Sequence, residues 1–107
     1  MESAEVEEVL RRIEFHKGVF GVVVLSPEGK VLKSSLDNIT TNQYTSMCRT
    51  VAGMAQRAVR DLDPQDDMVT LRIRTDDHEI MMAPGKSSEG NYYIVTLQTV
   101  QNLNKSN

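Results

Sequence analysis

The 107-residue sequence has one cysteine, Cys48, no tryptophan, and only three tyrosines and two phenylalanines. A single cysteine excludes an internal disulfide, which is typical of a reducing compartment. The longest apolar run, residues 22–25, is far shorter than the roughly 20 residues needed to span a membrane. The first ten residues are acidic and contain no apolar signal core. We therefore expect a soluble cytosolic or nuclear protein without a membrane segment.

An excess of basic residues is also missing. Lys and Arg number 12 against 15 Asp and Glu, so the formal charge is −3. Nucleic-acid binding depends on a basic surface, so this balance argues against it. Hydrophobic residues make up 39% and charged residues 25% of the chain, as in ordinary globular domains. We expect one domain over residues 1–100 and a polar tail over residues 101–107.

The spacing of apolar residues predicts two helices and five strands in the order α-β-β-α-β-β-β. The first helix is predicted over residues 3–16, with Ser3 as its N-cap. The second begins at Thr40, which forms a capping box with Gln43, and ends before Pro64. Strands are predicted over residues 19–26, 31–35, 68–74, 79–83 and 92–100. Residues 22–25 are all apolar, so both faces of the first strand should be covered.

We predict no catalytic, cofactor or metal site. Gly85-Lys86-Ser87 resembles the end of a P-loop, but that motif requires a glycine where Ile80 stands and a helix afterwards. Residues 84–91 are instead predicted to be a Gly/Ser loop. The run 76–79, Asp-Asp-His-Glu, lies in one predicted turn, and its consecutive side chains cannot all point at one ion. Cys48 lies in the apolar sector of the long helix, where a thiol is buried and inert.

The long helix has an unusually wide apolar stripe of roughly 160°. The same helix contains the small residues Ala52, Gly53, Ala55 and Ala58, which allow another backbone to come close. Two interpretations stay open. The helix is deeply buried in its own sheet, or it contacts both that sheet and a helix of a second chain.

The strand at residues 68–74 alternates apolar and polar side chains, and a strand edge can pair with another copy across a two-fold axis. The predicted dimer-interface residues are Val51, Ala55, Ala58, Val69, Leu71 and Ile73. Four of them, Val51, Val69, Leu71 and Ile73, also suit a plain core. Arg72 and Arg74, on the other face of the strand, are predicted to bind a partner or to lie across the dimer.

Five stretches resemble the roadblock-type dynein light chains of the roadblock/longin-like dimer family. They are AEVEEVLRRIEFHKGVFGVVVLSPEG (4–29), KSSLDNITTNQY (33–44), VRDLDPQDDMVTLRIRT (59–75), HEIMMAP (78–84) and YYIVTLQ (92–98). The sequence departs from the family pattern over residues 46–58 and 85–91 and after Gln98.

The resemblance implies an α/β fold of the α+β type, in which a single antiparallel five-stranded sheet is flanked by helices and dimerises into a continuous sheet. It implies a non-catalytic light chain, without cofactor, that binds the dynein intermediate chain in a cytoplasmic or axonemal, cytoskeleton-associated complex. The dimer partner is a second copy or a related light chain. A scaffold regulating a small GTPase is the alternative, and a small-molecule sensor is a third reading.

Overall fold

A computed structural model describes residues 4–88 and 90–100 of the chain. The elements follow the predicted order of helices and strands. They are α1 (Ala4–Glu14), β1 (Val19–Leu25), β2 (Val31–Ser34), α2 (Asn38–Leu62), β3 (Leu71–Arg74), β4 (His78–Ser87) and β5 (Gly90–Thr99). The predicted N-cap Ser3 and the predicted tail, residues 101–107, lie outside the described residues.

The five strands form one antiparallel sheet in the order β2-β1-β5-β4-β3, which confirms the implied fold. The first strand therefore pairs with the last, as in the partners Val22 and Thr96. Each face of the sheet is covered by one helix. Leu10 of α1 packs with Val22, Val24 and Tyr92, and Cys48 of α2 packs in a second cluster on the other side.

Both faces of β1 are buried, as the run of four apolar residues predicts. Val22, Val23, Val24 and Leu25 are each at most 1% exposed. Val22 and Val24 belong to the α1 cluster, whereas Val23 and Leu25 belong to the α2 cluster. The strand is thus the part of the sheet that holds the two halves of the core together.

Helix α2 begins two residues before the predicted start at Thr40. Its N-cap is Asp37, whose carboxylate accepts a hydrogen bond of 2.7 Å from the backbone N–H of Thr40. A charged acceptor at this position also suits the positive end of the helix dipole. That hydrogen bond holds the pKa of Asp37 below its usual range. The predicted end is confirmed, because Leu62 is the last helical residue before Asp63 and Pro64.

Strand β3 is shorter than predicted, since it begins at Leu71 and not at Met68. Asp67 and Met68, which precede it, are held against α2 by side chains of the helix. Gln56 Oε1 accepts a 2.7 Å hydrogen bond from the backbone N–H of Met68, and both Gln56 and Arg60 bind Asp67. These polar contacts keep the chain out of the sheet, so Val69 is 65% exposed.

The predicted loop over residues 84–91 is mostly strand. The β4 and β5 partners continue without interruption as far as Ser87 and Gly90. Gly85 is what allows this, because a Cβ at that position would lie 2.2 Å from Cε1 of the buried Tyr92 ring. The glycine that indicates a loop in the sequence therefore serves close packing in a strand.

At the turn of this hairpin the chain is tied to α1. The carboxylate of Glu5 accepts hydrogen bonds from the backbone N–H of Ser88 at 2.8 Å and from its hydroxyl at 2.9 Å. These bonds lower the pKa of Glu5.

We expect Gly85→Ala to lower the free energy of unfolding by about 1–3 kcal/mol, the usual effect of overpacking. The reason is that the new methyl group meets the Tyr92 ring. Urea denaturation measures the change. Lys86→Ala, on the exposed neighbouring position, is the control and should stay within about 0.5 kcal/mol of wild type. Equal effects of the two substitutions would contradict this account of Gly85.

Candidate protein-binding surface

Strand β3 lies at one end of the strand order, so within the described residues its outer side has no neighbouring strand. Its four residues pair with β4 on the inner side only, from Leu71 with Met82 to Arg74 with Glu79. An edge of this kind presents unpaired backbone N–H and C=O groups that another strand can use.

The side chains of β3 point alternately to the two faces of the sheet. Leu71 and Ile73 are half-buried on the α2 side, where Ile73 packs against the core cluster. Arg72 and Arg74 are exposed on the opposite side. The structure thus keeps the predicted separation of apolar and basic side chains on this strand.

Helix α2 is buried in its own sheet only along its first half. Its buried positions are Thr41, Thr45 and Cys48. Its 25 residues give a length of about 37 Å, whereas five strands span about 19 Å. The helix starts beside β2, where Thr41 bonds Ser34. Further along, Gln56 bonds Met68 just before β3, so the helix crosses the sheet from one edge strand toward the other. Because it is longer than the sheet is wide, its last turns extend beyond the β3 edge.

The exposed half of α2 has an apolar flank, which comprises Val51, Met54, Ala55, Ala58 and Leu62. Val51 and Ala55 are half-buried and Ala58 is exposed. Met54 is 53% and Leu62 is 91% exposed. Within the described chain, Met54 is thus only partly covered and Leu62 is almost fully exposed. Large exposed apolar patches commonly mark protein contacts.

The predicted interface residues do not all lie together. Val51, Ala55 and Ala58 are on the apolar flank, and Leu71 and Ile73 are on β3. Val69 lies in a groove on the other flank of α2, beside Ala52 and Gly53. The sequence prediction did not include Met54 and Leu62, the exposed large apolar side chains of this flank. Each lies four residues from Ala58, and this spacing indicates that all three share one side of the helix.

The face of the sheet that carries Arg72 and Arg74 is only partly covered by α1. A groove of about 500 Å³ runs between the end of α1 and the strands beside it; its lining includes Ile13, His16, Met81 and Thr96. Arg72 donates a hydrogen bond to Glu79, which holds the pKa of that carboxyl below its usual range. For Arg74, the structure shows no hydrogen bond within residues 4–88 and 90–100.

The remaining chemically suggestive residues are placed in ordinary structure. Cys48 is buried, and burial raises the pKa of its thiol, which reduces its reactivity. Gly85, Lys86 and Ser87 belong to strand β4. Over residues 4–88 and 90–100, no three His, Cys, Asp or Glu side chains are grouped as metal ligands would be. In the same part of the chain, neither helix has the length and apolar character for crossing a membrane.

The sequence matches the family model of the Roadblock/LC7 domain over residues 5–98. The chain belongs to the Roadblock/LC7 family. Its fold is similar to that of a Roadblock/LC7 domain from Streptomyces avermitilis, with a TM-score of 0.67 at 15% identity. The similarity covers 86% of this chain and 73% of the bacterial one. At this identity the likeness shows the fold alone.

Membership of the Roadblock/LC7 family supports a non-enzymatic scaffold. The features described above agree with that role. Macromolecules commonly bind surfaces of these three kinds: an exposed strand edge, an apolar flank and a basic strand face. The arrangement can hold a partner through backbone pairing, apolar contact and charge.

Arg72→Gln should raise the pKa of Glu79, and Arg74→Gln should raise it less, because Arg72 is the direct hydrogen-bond partner. Because the pKa of Glu79 is lowered in the folded protein, its ionised carboxylate stabilises the fold fully above the ordinary carboxyl pKa, about 4.3. This stabilisation is lost as the pH falls through the lowered value. An NMR titration of the Glu79 carboxyl carbon measures both variants, and equal effects would contradict the assigned pairing.

Proposed function

We propose that this Roadblock/LC7 protein is a non-catalytic light chain of a dynein motor complex. It forms a homodimer, binds the dynein intermediate chain, and supports motor assembly and cargo attachment in microtubule-based movement in the cytoplasm. The resemblance of five sequence stretches to dynein light chains suggests the motor. The observation that carries the proposal is the uncovered apolar flank of α2 beside the open β3 edge.

The dimer is proposed to form by antiparallel pairing of β3 with its own copy. Pairing across a two-fold axis covers the open edge of each chain with the other. Leu71 and Ile73 then lie on the α2 side of a continuous sheet, on the same side as the helices. The half of α2 that extends beyond its own edge is placed over the partner's sheet.

The direction in which the two helices meet is restricted by the segment between α2 and β3. Gln56 and Arg60 hold Asp67 and Met68 against one flank of α2. A second α2 is therefore expected on the opposite, apolar flank, where Met54 and Leu62 are exposed. Stable interfaces bury roughly 1,200–2,000 Å², more than a four-residue strand supplies, so the helix flank has to contribute.

Pairing of two β3 strands also brings two pairs of exposed arginines, Arg72 and Arg74, to the centre of one face of the sheet. The groove beside α1, which includes Ile13 and Met81, lies on the same face. We propose that the intermediate chain binds here, with apolar side chains in the grooves and acidic ones on the arginines. Because the dimer holds two client chains, each further contact between them becomes intramolecular.

Leu62→Asp should weaken dimerisation about tenfold or more, since it places a charge in an apolar interface. Leu62 is exposed within the chain, so folding should be retained. Sedimentation velocity over a concentration series measures the effect. Ile39→Asp is the matched control, because Ile39 is a 73% exposed apolar residue at the other end of α2.

Leu71→Glu should impair dimerisation more than Arg72→Ala does, because Leu71 lies on the half-buried side of β3. The same sedimentation series compares the two variants, with circular dichroism as the test of folding. A monomeric wild type, or equal and small effects of both substitutions, would overturn the pairing through β3.

Titration with a peptide from a dynein intermediate chain should show two peptides bound per dimer. Arg72→Glu and Arg74→Glu should each weaken binding, because charge reversal repels an acidic client. Lys30→Glu is the control, since Lys30 is exposed in the turn between β1 and β2. Isothermal calorimetry provides affinity and stoichiometry. Absence of binding would contradict the dynein assignment, and partner capture that requires GTP would favour the GTPase-scaffold alternative.

A further inference from the structure

The second flank of α2 is basic in a protein that is acidic overall. The helix contains Arg49, Arg57 and Arg60 but only one acidic residue, Asp61, whereas the whole chain has a charge of −3. Arg60 is neutralised by Asp67. In the part of the chain that the structure describes, the guanidinium of Arg49 donates only to the backbone carbonyl of Gly29, at 3.1 Å. Within residues 4–88 and 90–100, Arg57 has no hydrogen bond or ion pair.

Gly53 lies between these two arginines, at a spacing of four residues from each, so the three share one flank. A glycine in the interior of a helix costs about 1 kcal/mol relative to alanine. The fold does not require it here, because a Cβ at Gly53 would meet only Nη1 of Arg57, at 3.9 Å. At Gly85, in contrast, the Tyr92 ring occupies the space of the side chain. No contact within the described chain therefore explains why residue 53 is a glycine.

A groove of about 230 Å³ runs beside Gly53. Its lining includes Met68, Val69, Met82 and Tyr93, together with the turn that contains Pro27. Val69, at 65% exposure, is apolar surface that the chain itself leaves open. The groove thus combines apolar and polar groups, with Arg49 in its lining and Arg57 one turn beyond Gly53.

We propose that this arginine flank, formed by Arg49, Gly53 and Arg57, docks an acidic segment of a partner protein. An apolar side chain of the segment enters the groove, its backbone approaches α2 at Gly53, and its carboxylates bind the two guanidinium groups. Positions eight residues apart on a helix are about 12 Å apart. An extended segment spans that distance with carboxylates about four residues apart.

A peptide suits this surface better than an anionic membrane does. The groove is concave and narrow, Glu28 is part of its lining, and the negative chain as a whole is repelled by an anionic bilayer. The arginine flank lies on the opposite side of α2 from the apolar flank. The inference therefore stands whether or not the proposed dimer forms.

The test uses the full chain and a fluorescein-labelled probe with the sequence Gly-Glu-Ser-Leu-Ser-Glu-Gly. A matched neutral probe has Gln in place of both Glu residues. Fluorescence anisotropy at several salt concentrations measures binding. We expect the acidic probe to bind more tightly than the neutral one, and its affinity to fall as salt increases.

The double variant Arg49→Gln/Arg57→Gln should lose about tenfold or more in affinity for the acidic probe, since charge-assisted hydrogen bonds are removed. Arg11→Gln/Arg12→Gln, on α1 at the other face of the sheet, is the matched control and should bind the probe as wild type does. Loss of affinity in Arg72→Gln/Arg74→Gln and not in Arg49→Gln/Arg57→Gln would place the probe on β3 and overturn the proposal. Equal binding of both probes, or binding of this flank to phosphatidylserine vesicles and not to the acidic probe, would also overturn it.

Gly53→Leu separates docking from folding. The leucine blocks the approach of a partner backbone, so binding of the acidic probe should fall about tenfold, by loss of close contact. The melting temperature should rise by several degrees, because a better helix former replaces glycine. A lower melting temperature would show that the fold itself needs Gly53, and unchanged binding would show that no partner approaches there. Either result contradicts the role assigned to this residue.

Discussion

Helix α2 is longer than its sheet is wide, and most surfaces of functional interest follow from that mismatch. The first half of the helix is buried over the sheet through Cys48, and the second half extends past the β3 edge. On this second half, Met54 and Leu62 are exposed near the open outer edge of β3. A helix ending four turns earlier would lack the apolar flank and would leave only the short open edge of β3.

The chain between α2 and β3 covers part of one flank of α2 and leaves the other flank open. Gln56 and Arg60 hold Asp67 and Met68 on one flank, where the groove beside Gly53 forms. The other flank stays apolar and open. The same polar contacts therefore shorten β3, expose Val69 and leave the two flanks of α2 with different chemical character.

Much of this fold can be predicted from local pattern. The apolar run at residues 22–25 indicated a strand buried on both faces, and Pro64 marked the end of α2. The errors arose where a side chain makes a contact distant in sequence. Gly85 is typical of a loop, but in the structure it lies in a strand against the Tyr92 ring. Met68 fits a strand pattern, but its N–H is hydrogen-bonded to Gln56 of α2. The candidate surface was found in part because Leu71 and Arg72 alternate. The exposure of Met54, Leu62 and Val69 depends on the length of α2 relative to the sheet and on the path of the chain between α2 and β3. The spacing of apolar residues in the sequence does not indicate either.

The pairing of β1 with β5 has a consequence for how the chain is made. During synthesis β1 leaves the ribosome early, but its partner on one side is the last strand, with Val22 opposite Thr96. Until that strand emerges, the four apolar residues 22–25 have only the short β2 beside them. Closing a loop of this length is slow relative to local pairing. The nascent chain therefore cannot complete the backbone pairing of its most apolar strand until β5 has left the ribosome.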